Sequence, residues 1–345
     1  MPPHPLAPAP ADPAAPANAP RAPGIDRHVD NPGRGILLVI SAGFLFSCSD
    51  AISKVLATRL PAVEIAWLRW SGFLLIVLPI VFTSRGAVMR SGAPLIEVAR
   101  GICMVASSVL FVAGLGSLPL ASATTINFVS PLLVTALSIP LLGEKVGLRR
   151  WAAVLVGLSG VVIIIRPGGG AFGTAALFPL ASAAIWALGV IATRRIAGVD
   201  GPWTAMTYSA ITGVALLSLL VPDVFLAPTS RELMLAAALA AASTAAQLCI
   251  IVGFRYGSAS LLAPFTYVSL IWATALGFAL FGNFPDGWTW VGAAVIVASG
   301  LYTAHRERVR AAAARTAILA GDPQTSILPS SEITEPKSSA PVSPR

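Results

Sequence analysis

Charge is the first thing this chain lacks: Asp, Glu, Lys and Arg make up 11% of its 345 residues, where an ordinary soluble domain carries about 25%. That excludes a soluble globular protein. Histidine and cysteine number three each. His4, His28 and His305 lie outside the apolar stretches, so no histidine proton relay crosses a membrane. Cys48, Cys103 and Cys249 lie inside them, where a thiol behaves as a small buried hydrophobe, so no disulfide or metal framework is expected. The chain has no H-E-x-x-H helix, no Walker glycine-lysine loop and no G-x-S-x-G elbow. No enzyme chemistry, cofactor or metal is expected from it.

What is present is apolar. Hydrophobic residues reach 56% and the mean hydropathy is +0.80, the composition of a polytopic membrane protein. The net charge of +8 is scattered between apolar runs rather than gathered on a face, so nucleic acid is not an expected partner. The bilayer is. Residues 1–34 carry ten of the 28 prolines and no apolar run, which reads as a disordered tail and not as a signal peptide. Residues 306–345 turn to Ser, Pro, Thr and charge and read the same way.

Crossing a hydrocarbon core of about 30 Å takes roughly 20 apolar residues. Ten segments meet that requirement: Gly35 to Ala57, Val63 to Thr83, Ala93 to Leu115, Ala121 to Leu142, Arg149 to Ile165, Thr174 to Ala192, Trp203 to Val221, Glu232 to Gly253, Ala259 to Phe281 and Gly287 to Thr303. They fall into two copies 139 residues apart. Val129 aligns with Val268, Ser130 with Ser269, Thr135 with Thr274, Gly143 with Gly282 and Trp151 with Trp290, without a gap. The expected fold is therefore all-α, with ten transmembrane helices in two five-helix repeats, 35–166 and 174–305. Five crossings per copy make the second copy enter from the opposite side, an inverted repeat of the kind secondary transporters use.

Basic residues supply an orientation, since Lys and Arg are retained on the cytoplasmic side. With the N-terminus cytoplasmic, that side carries Arg21, Arg27, Arg34, Arg85, Arg90, Lys145, Arg149, Arg150, Arg194, Arg195, Arg255, Arg306, Arg308, Arg310 and Arg315, against Arg59, Arg166 and Arg231 on the other. Both tails are expected in the cytoplasm.

An ionisable side chain inside a spanning helix costs a few kcal/mol and is a functional candidate by default. Asp50 and Lys54 stand four apart in segment one, on one face, where they can pair. Glu64 and Arg69 lie in the outer part of segment two. Together they read either as a charged cluster that recognises a polar solute, with Asp50 as a proton carrier, or as a neutralised brace between two helices. Glu97 and Arg100 open segment three, where one can cap the helix and the other can face lipid phosphates. Glu144, after Gly143, ends segment four beside Lys145 and reads as a loop-pinning charge.

Proline within a spanning helix frees backbone carbonyls that neighbours or a cavity must satisfy. Pro131 in segment four and Pro264 in segment nine interrupt helices at corresponding places in the two copies, which points to a transporter's site. Asn127, Ser130, Tyr267, Ser269 and Trp272 surround them, and can hold a solute by hydrogen bonding and stacking or serve only helix contacts and the interfacial belt. Gln247 is the one side-chain amide in segment eight and needs a partner, either solute or helix. Trp186 and Tyr208 are weaker candidates. The Gly157 to Gly160 and Gly253 to Gly257 phrases read as close helix contacts.

These residues resemble a family. A-x-A-T-x-x-N-F-x-x-P from Ala121 to Pro131, Gly143-Glu144, and Pro264-Phe265-Thr266-Tyr267 are similar to the EamA-type branch of the drug/metabolite transporter superfamily, over about Gly35 to Arg306. Ser49 to Lys54, Glu64 with Arg69, and Asn283 to Asp286 resemble its subgroup of S-adenosylmethionine uptake and riboflavin transporters. The second copy departs in having Asn283 where Glu144 stands in the first. The resemblance implies an inner-membrane carrier whose central cavity is lined from both halves and works by alternating access, as importer or exporter. The expected substrate is a small polar organic metabolite, aromatic or nucleoside-like solutes among them, with protons as a coupling ion. The expected assembly is a monomer or a homodimer. A channel or a membrane-embedded enzyme is the alternative of a different class. Expected substrate contacts are Asp50, Arg69, Asn127, Ser130, Gln247, Tyr267 and Trp272, with Lys54, Glu64 and Glu144 as structural or coupling charges.

Overall fold

A computed structural model describes residues 31–143, 148–166, 173–196, 198–257 and 259–319. Among the described residues every regular element is helical. The helices are α1 (Pro32–Leu56), α2 (Ala62–Thr83), α3 (Pro94–Ser117), α4 (Leu120–Asn127), α5 (Ser130–Leu142), α6 (Leu148–Ile165), α7 (Leu177–Arg195), α8 (Pro202–Leu220), α9 (Ser230–Tyr256), α10 (Ala259–Thr266), α11 (Val268–Phe281) and α12 (Gly287–Leu319). Their ends follow local chemistry. Proline occupies the first turn of α1, α3, α5 and α8, where its missing N–H costs nothing. Asn31 accepts from the Arg34 N–H to open α1, and Thr229 with Glu232 forms a reciprocal capping box at α9.

Nine stretches among the described residues are long and apolar enough to cross a membrane, with α4–α5 and α10–α11 each forming one of them. The expected tenth, α6, is shorter: its apolar part is Trp151–Ile165. α12 continues to Leu319, past the Thr303 expected as the end of its apolar segment.

The two expected interruptions are real. α4 ends at Asn127 and α5 begins at Ser130, while α10 ends at Thr266 and α11 begins at Val268. The breaks lie 139 residues apart although the prolines do not: Pro131 follows its break and Pro264 precedes its own. Gly143 and Gly282 then close α5 and α11 in the left-handed region, at φ 71° and 67°, a conformation that favours glycine.

Two of the helix pairs equivalent under the 139-residue shift, α6–α12 and α2–α8, pack antiparallel on each other. In the α6–α12 pair, a Cβ on Gly160 would sit 2.9 Å from the Gly292 carbonyl oxygen and one on Gly292 would sit 2.6 Å from that of Gly160. The equivalent positions, Ser299 and Ala153, also touch, with the Ser299 hydroxyl donating to the Ala153 carbonyl at 3.0 Å. α2 and α8 behave alike, with Trp67 donating to Ser218 at one end of the pair and Phe73 and Val77 buried with Met206 and Ala210 towards the other. The shift also converts α1–α9 packing into α7–α3, α2–α9 into α8–α3, and α1–α11 into α7–α5, and all of these pairs are in contact.

Candidate functional site

α1 and α2 bring Asp50 and Arg69 together. Their closest N···O distance is 3.6 Å, with side chains 18% and 15% exposed respectively, so the pair is neither sealed in the core nor free in solvent. Arg69 Nη2 also donates to the Ser53 hydroxyl at 2.6 Å. Ser53 was not among the expected residues, although three positions from Asp50 it shares that face of α1. The Ser53 hydroxyl in turn donates to the Ser49 carbonyl at 3.0 Å.

The expected pairing of Asp50 with Lys54 does not occur. Lys54 reaches away along α1, and its Nζ donates to the carbonyls of Leu115 at 2.8 Å and Leu118 at 2.6 Å, while lying 5.5 Å from the centre of the Phe281 ring. Pro119 stands four residues after Leu115 and has no N–H to give its carbonyl, so the end of α3 supplies acceptors that a long ammonium can reach. Glu64 also leaves the expected cluster. It is buried, and its Oε2 accepts the Leu226 N–H at 3.0 Å, pinning the segment between α8 and α9 onto the start of α2; its Oε1 has no partner.

Glu97 and Arg100 correct the expectation of a cap and a lipid contact. Both are buried and paired at 2.8 Å, and Arg100 Nη2 binds the Ala205 carbonyl and, at 2.8 Å, the Ser209 hydroxyl of α8. At this density of acceptors an arginine gains more from α8 than from headgroups. Asn127 is used between helices: its Nδ2 donates to Ser182 Oγ at 3.1 Å, and Ser182 exchanges hydrogen bonds with Ser107, joining α3, α4 and α7. Ser130 and Gln247 are half-buried. Glu144 lies outside the described residues, as does Lys145.

The second half contributes rings. Trp272 packs edge-on against Phe44 with centroids 5.1 Å apart, and its buried Nε1 has no acceptor. Tyr267, at the α10–α11 break, lies 5.0 Å from Phe128, at the α4–α5 break, with the rings tilted by 33°. These two residues occupy equivalent positions, so the two breaks meet at the centre of the repeat. Ser269 accepts through its carbonyl from Ser47 at 3.2 Å. Buried donors without partners among the described residues therefore include Trp272 Nε1, Trp70 Nε1 and Arg69 Nε, and a buried donor left unpaired costs about 1–3 kcal/mol.

The ends of the helices carry exposed ion pairs that sequence spacing could not assign, because each joins residues more than a hundred positions apart. Arg59 pairs with Glu232 at 2.5 Å and Arg166 with Asp286. Hydrogen bonds from Thr289, helped by Arg166, hold the Asp286 carboxyl below the usual carboxylate range. At the opposite end Asp200 accepts from Ser91 and Gly92, which lowers its carboxyl similarly. A depression of about 340 Å³ is lined by Trp67, Ser218, Val221, Pro222 and Phe225; it contains none of the expected substrate contacts and lies beside α8, not at the helix breaks.

Apolar spans, paired helix breaks and a charged pair inside the bundle define the class, a membrane transporter. The chain belongs to the EamA-like transporter family, whose model matches residues 33–166 and 173–303, and with it to the drug/metabolite transporter superfamily. It is similar to a protein named riboflavin transporter from Rhizobium johnstonii, at 28% identity over 80% of this chain and 92% of that one. It is also similar to an S-adenosylmethionine uptake transporter of Rickettsia prowazekii, at 27% identity over 76% and 89%. A pseudopaline exporter of Pseudomonas aeruginosa matches at 26% identity over 76% and 93%. A solved structure with 22% sequence identity shares the fold at a TM-score of 0.56, covering 80% of this chain and 99% of that one.

Proposed function

We propose that the protein is a secondary transporter that moves a small polar organic metabolite across the inner membrane by alternating access. It does so with ten crossings arranged as two inverted halves and with both tails in the cytoplasm. The antiparallel packing of α6 on α12 and of α2 on α8, each pair equivalent under one shift, supports the inversion. Trp151 and Trp290, equivalent and exposed, suit the interfacial belts of opposite faces.

The observation that carries the reading is the partly buried Asp50–Arg69 pair, in which Arg69 Nε has no acceptor among the described residues, as Trp272 Nε1 has none. A solute with acceptor atoms and a planar ring satisfies Arg69 and Trp272, and stacks on the rings of Trp272 and Tyr267. Ser130, Gln247 and the carbonyl side of Asn127 complete a site fed from both halves. Lys54, Glu64 and Glu144 serve structure and coupling. Asp50 exchanges a proton when the solute competes for Arg69, which makes protons the coupling ion. Relatives named for riboflavin, S-adenosylmethionine and pseudopaline support a small organic solute, and the exporter among them supports the second reading, export through the same site.

The test is a ligand screen by thermal stabilisation, which reads binding by mass action, followed by flux into proteoliposomes without ATP. Saturable, gradient-driven flux of at least one metabolite is expected; unsaturable flux would indicate a channel, and none across a broad panel would overturn the reading. Asp50→Asn is expected to flatten the dependence of flux on pH, and an unchanged profile removes Asp50 from coupling.

A further inference from the structure

The 139-residue shift converts most helix contacts into other existing contacts, but a coherent group has no counterpart. At the end where α1 and α3 finish and α4 starts, α3 packs on α1, α2 and α4, and α4 packs on α11. Leu115, Leu118, Leu120, Ala123 and Ala273 are buried there around Ala51, and Leu120 lies 3.7 Å from where a Cβ on Gly277 would stand. The equivalent group at the opposite end is α9 with α7, α8 and α10, and α10 with α5. None of these four pairs packs comparably among the described residues. One design used twice, drawn together at one end and parted at the other, is what a carrier looks like in one of its two end states.

Lys54 stands in the closed seam. Its ammonium donates to the Leu115 and Leu118 carbonyls and faces Phe281, so a single side chain of α1 ties α1, α3 and α11 together. Breaking the seam strips it of two charge-assisted hydrogen bonds in an environment of low dielectric. The equivalent position in the second half is Thr193, whose hydroxyl donates to the Gly189 carbonyl of its own helix at 2.9 Å and ties nothing to α9 or α5. The places of Leu115, Leu118 and Phe281 are taken there by Phe254, Gly257 and Leu142.

We propose that Lys54 is a positioning residue, a latch that holds the carrier shut at this end, and that its absence from the second half makes the two end states unequal in population. In the orientation proposed above, the latched end is the outer one, so the unloaded protein rests open to the cytoplasm. This inference rests on the carrier reading. It also separates Lys54 from Asp50: one residue sets which face is open and the other handles the solute.

The experiment places single-cysteine reporters in a background where Cys48, Cys103 and Cys249 are serine, and follows maleimide labelling of folded, monodisperse protein in nanodiscs. A Leu120→Cys reporter in the seam is expected to be protected and a Leu142→Cys reporter to label readily. Adding Lys54→Met, which removes both charge-assisted hydrogen bonds, is expected to speed labelling at the seam at least about tenfold, the shift that losing even one of them gives a two-state equilibrium, and to slow it at Leu142→Cys. Lys54→Arg is expected to keep the parent pattern. Thr193→Lys installs the latch in the second half and is expected to slow labelling at Leu142→Cys, which keeps the idea testable if Lys54→Met does not fold. Equal seam labelling with lysine and methionine at position 54, or no effect of Thr193→Lys, overturns the latch. The readout needs no solute, so a protein that relabels as expected yet moves nothing refutes the carrier reading alone.

Discussion

Arg69→Ala is expected to lower the thermal stability of the detergent-solubilised protein and to abolish solute flux, and the two losses are expected to separate in a double variant. Arg69 holds both Ser53 and Asp50. Removing it leaves a carboxylate inside the bundle with no other ion-pair partner among the described residues, since Lys54 is committed to the end of α3. Breaking one side of a buried pair costs about 3–5 kcal/mol, and the residual exposure of these side chains puts the expected loss at the lower end. Asp50→Asn with Arg69→Gln removes both charges and keeps polar atoms in place, so stability is expected to return to within about 1 kcal/mol of the parent, because a neutral pair no longer pays charge desolvation. Flux is expected to stay down at least about a hundredfold, the consequence of losing a charge-assisted contact of about 3 kcal/mol to the solute. Melting curves and proteoliposome uptake on the four proteins decide it. A double variant that transports like the parent would make the pair a brace between α1 and α2 and move the solute elsewhere.

The reason such a test is needed lies in what sequence can and cannot encode about charges. The helices themselves were legible, because apolar runs of about twenty residues are a local property, and so was the 139-residue repeat. The first break was legible from Pro131, whose missing N–H acts on its own helix, while Pro264 marked the second only by its neighbourhood, since it lies inside α10 ahead of the break. Partners were not. Asp50 and Lys54 share a helical face, which made their pairing the natural expectation, but the lysine stem is long enough to reach α3, where Pro119 leaves a carbonyl without a donor. Arg100 looked like a headgroup contact by its place at the start of α3, and it turns inward because α8 offers Ala205 and Ser209. In each case the competing acceptor belongs to a helix far along the chain. Ser53 was missed for a different reason: its three-residue spacing from Asp50 was a local signal that could have marked it as a neighbour of whatever Asp50 binds.

At the centre of the repeat, where the two breaks meet, Gly300→Val is expected to be among the most destabilising single substitutions, and Tyr267→Phe is expected to rescue most of the loss. A Cβ on Gly300 would lie 1.9 Å from the Tyr267 hydroxyl oxygen and 3.0 Å from the ring carbon that bears it. The ring is backed by Phe128, so it has little room to withdraw. Overpacking of this kind costs about 1–3 kcal/mol for a methyl and more for a branched side chain. The first half shows the alternative solution: the equivalents of Tyr267 and Gly300 are Phe128 and Val161, which share one buried cluster. Each half thus fills the same volume, once with a hydroxyl opposite glycine and once with a bare ring opposite valine. The double variant rebuilds the first-half pair in the second half. Thermal melts of parent, both single variants and the double variant measure the coupling, and a double variant no more stable than Gly300→Val would show that the two sites do not trade volume. Tyr267→Phe alone is expected to lose less than about 1 kcal/mol, since the hydroxyl is seated against glycine and not in a strong hydrogen bond, and to transport normally. Only the face of this ring is then left for the solute, and that makes stacking, rather than the phenol's hydrogen bond, its contribution to the site.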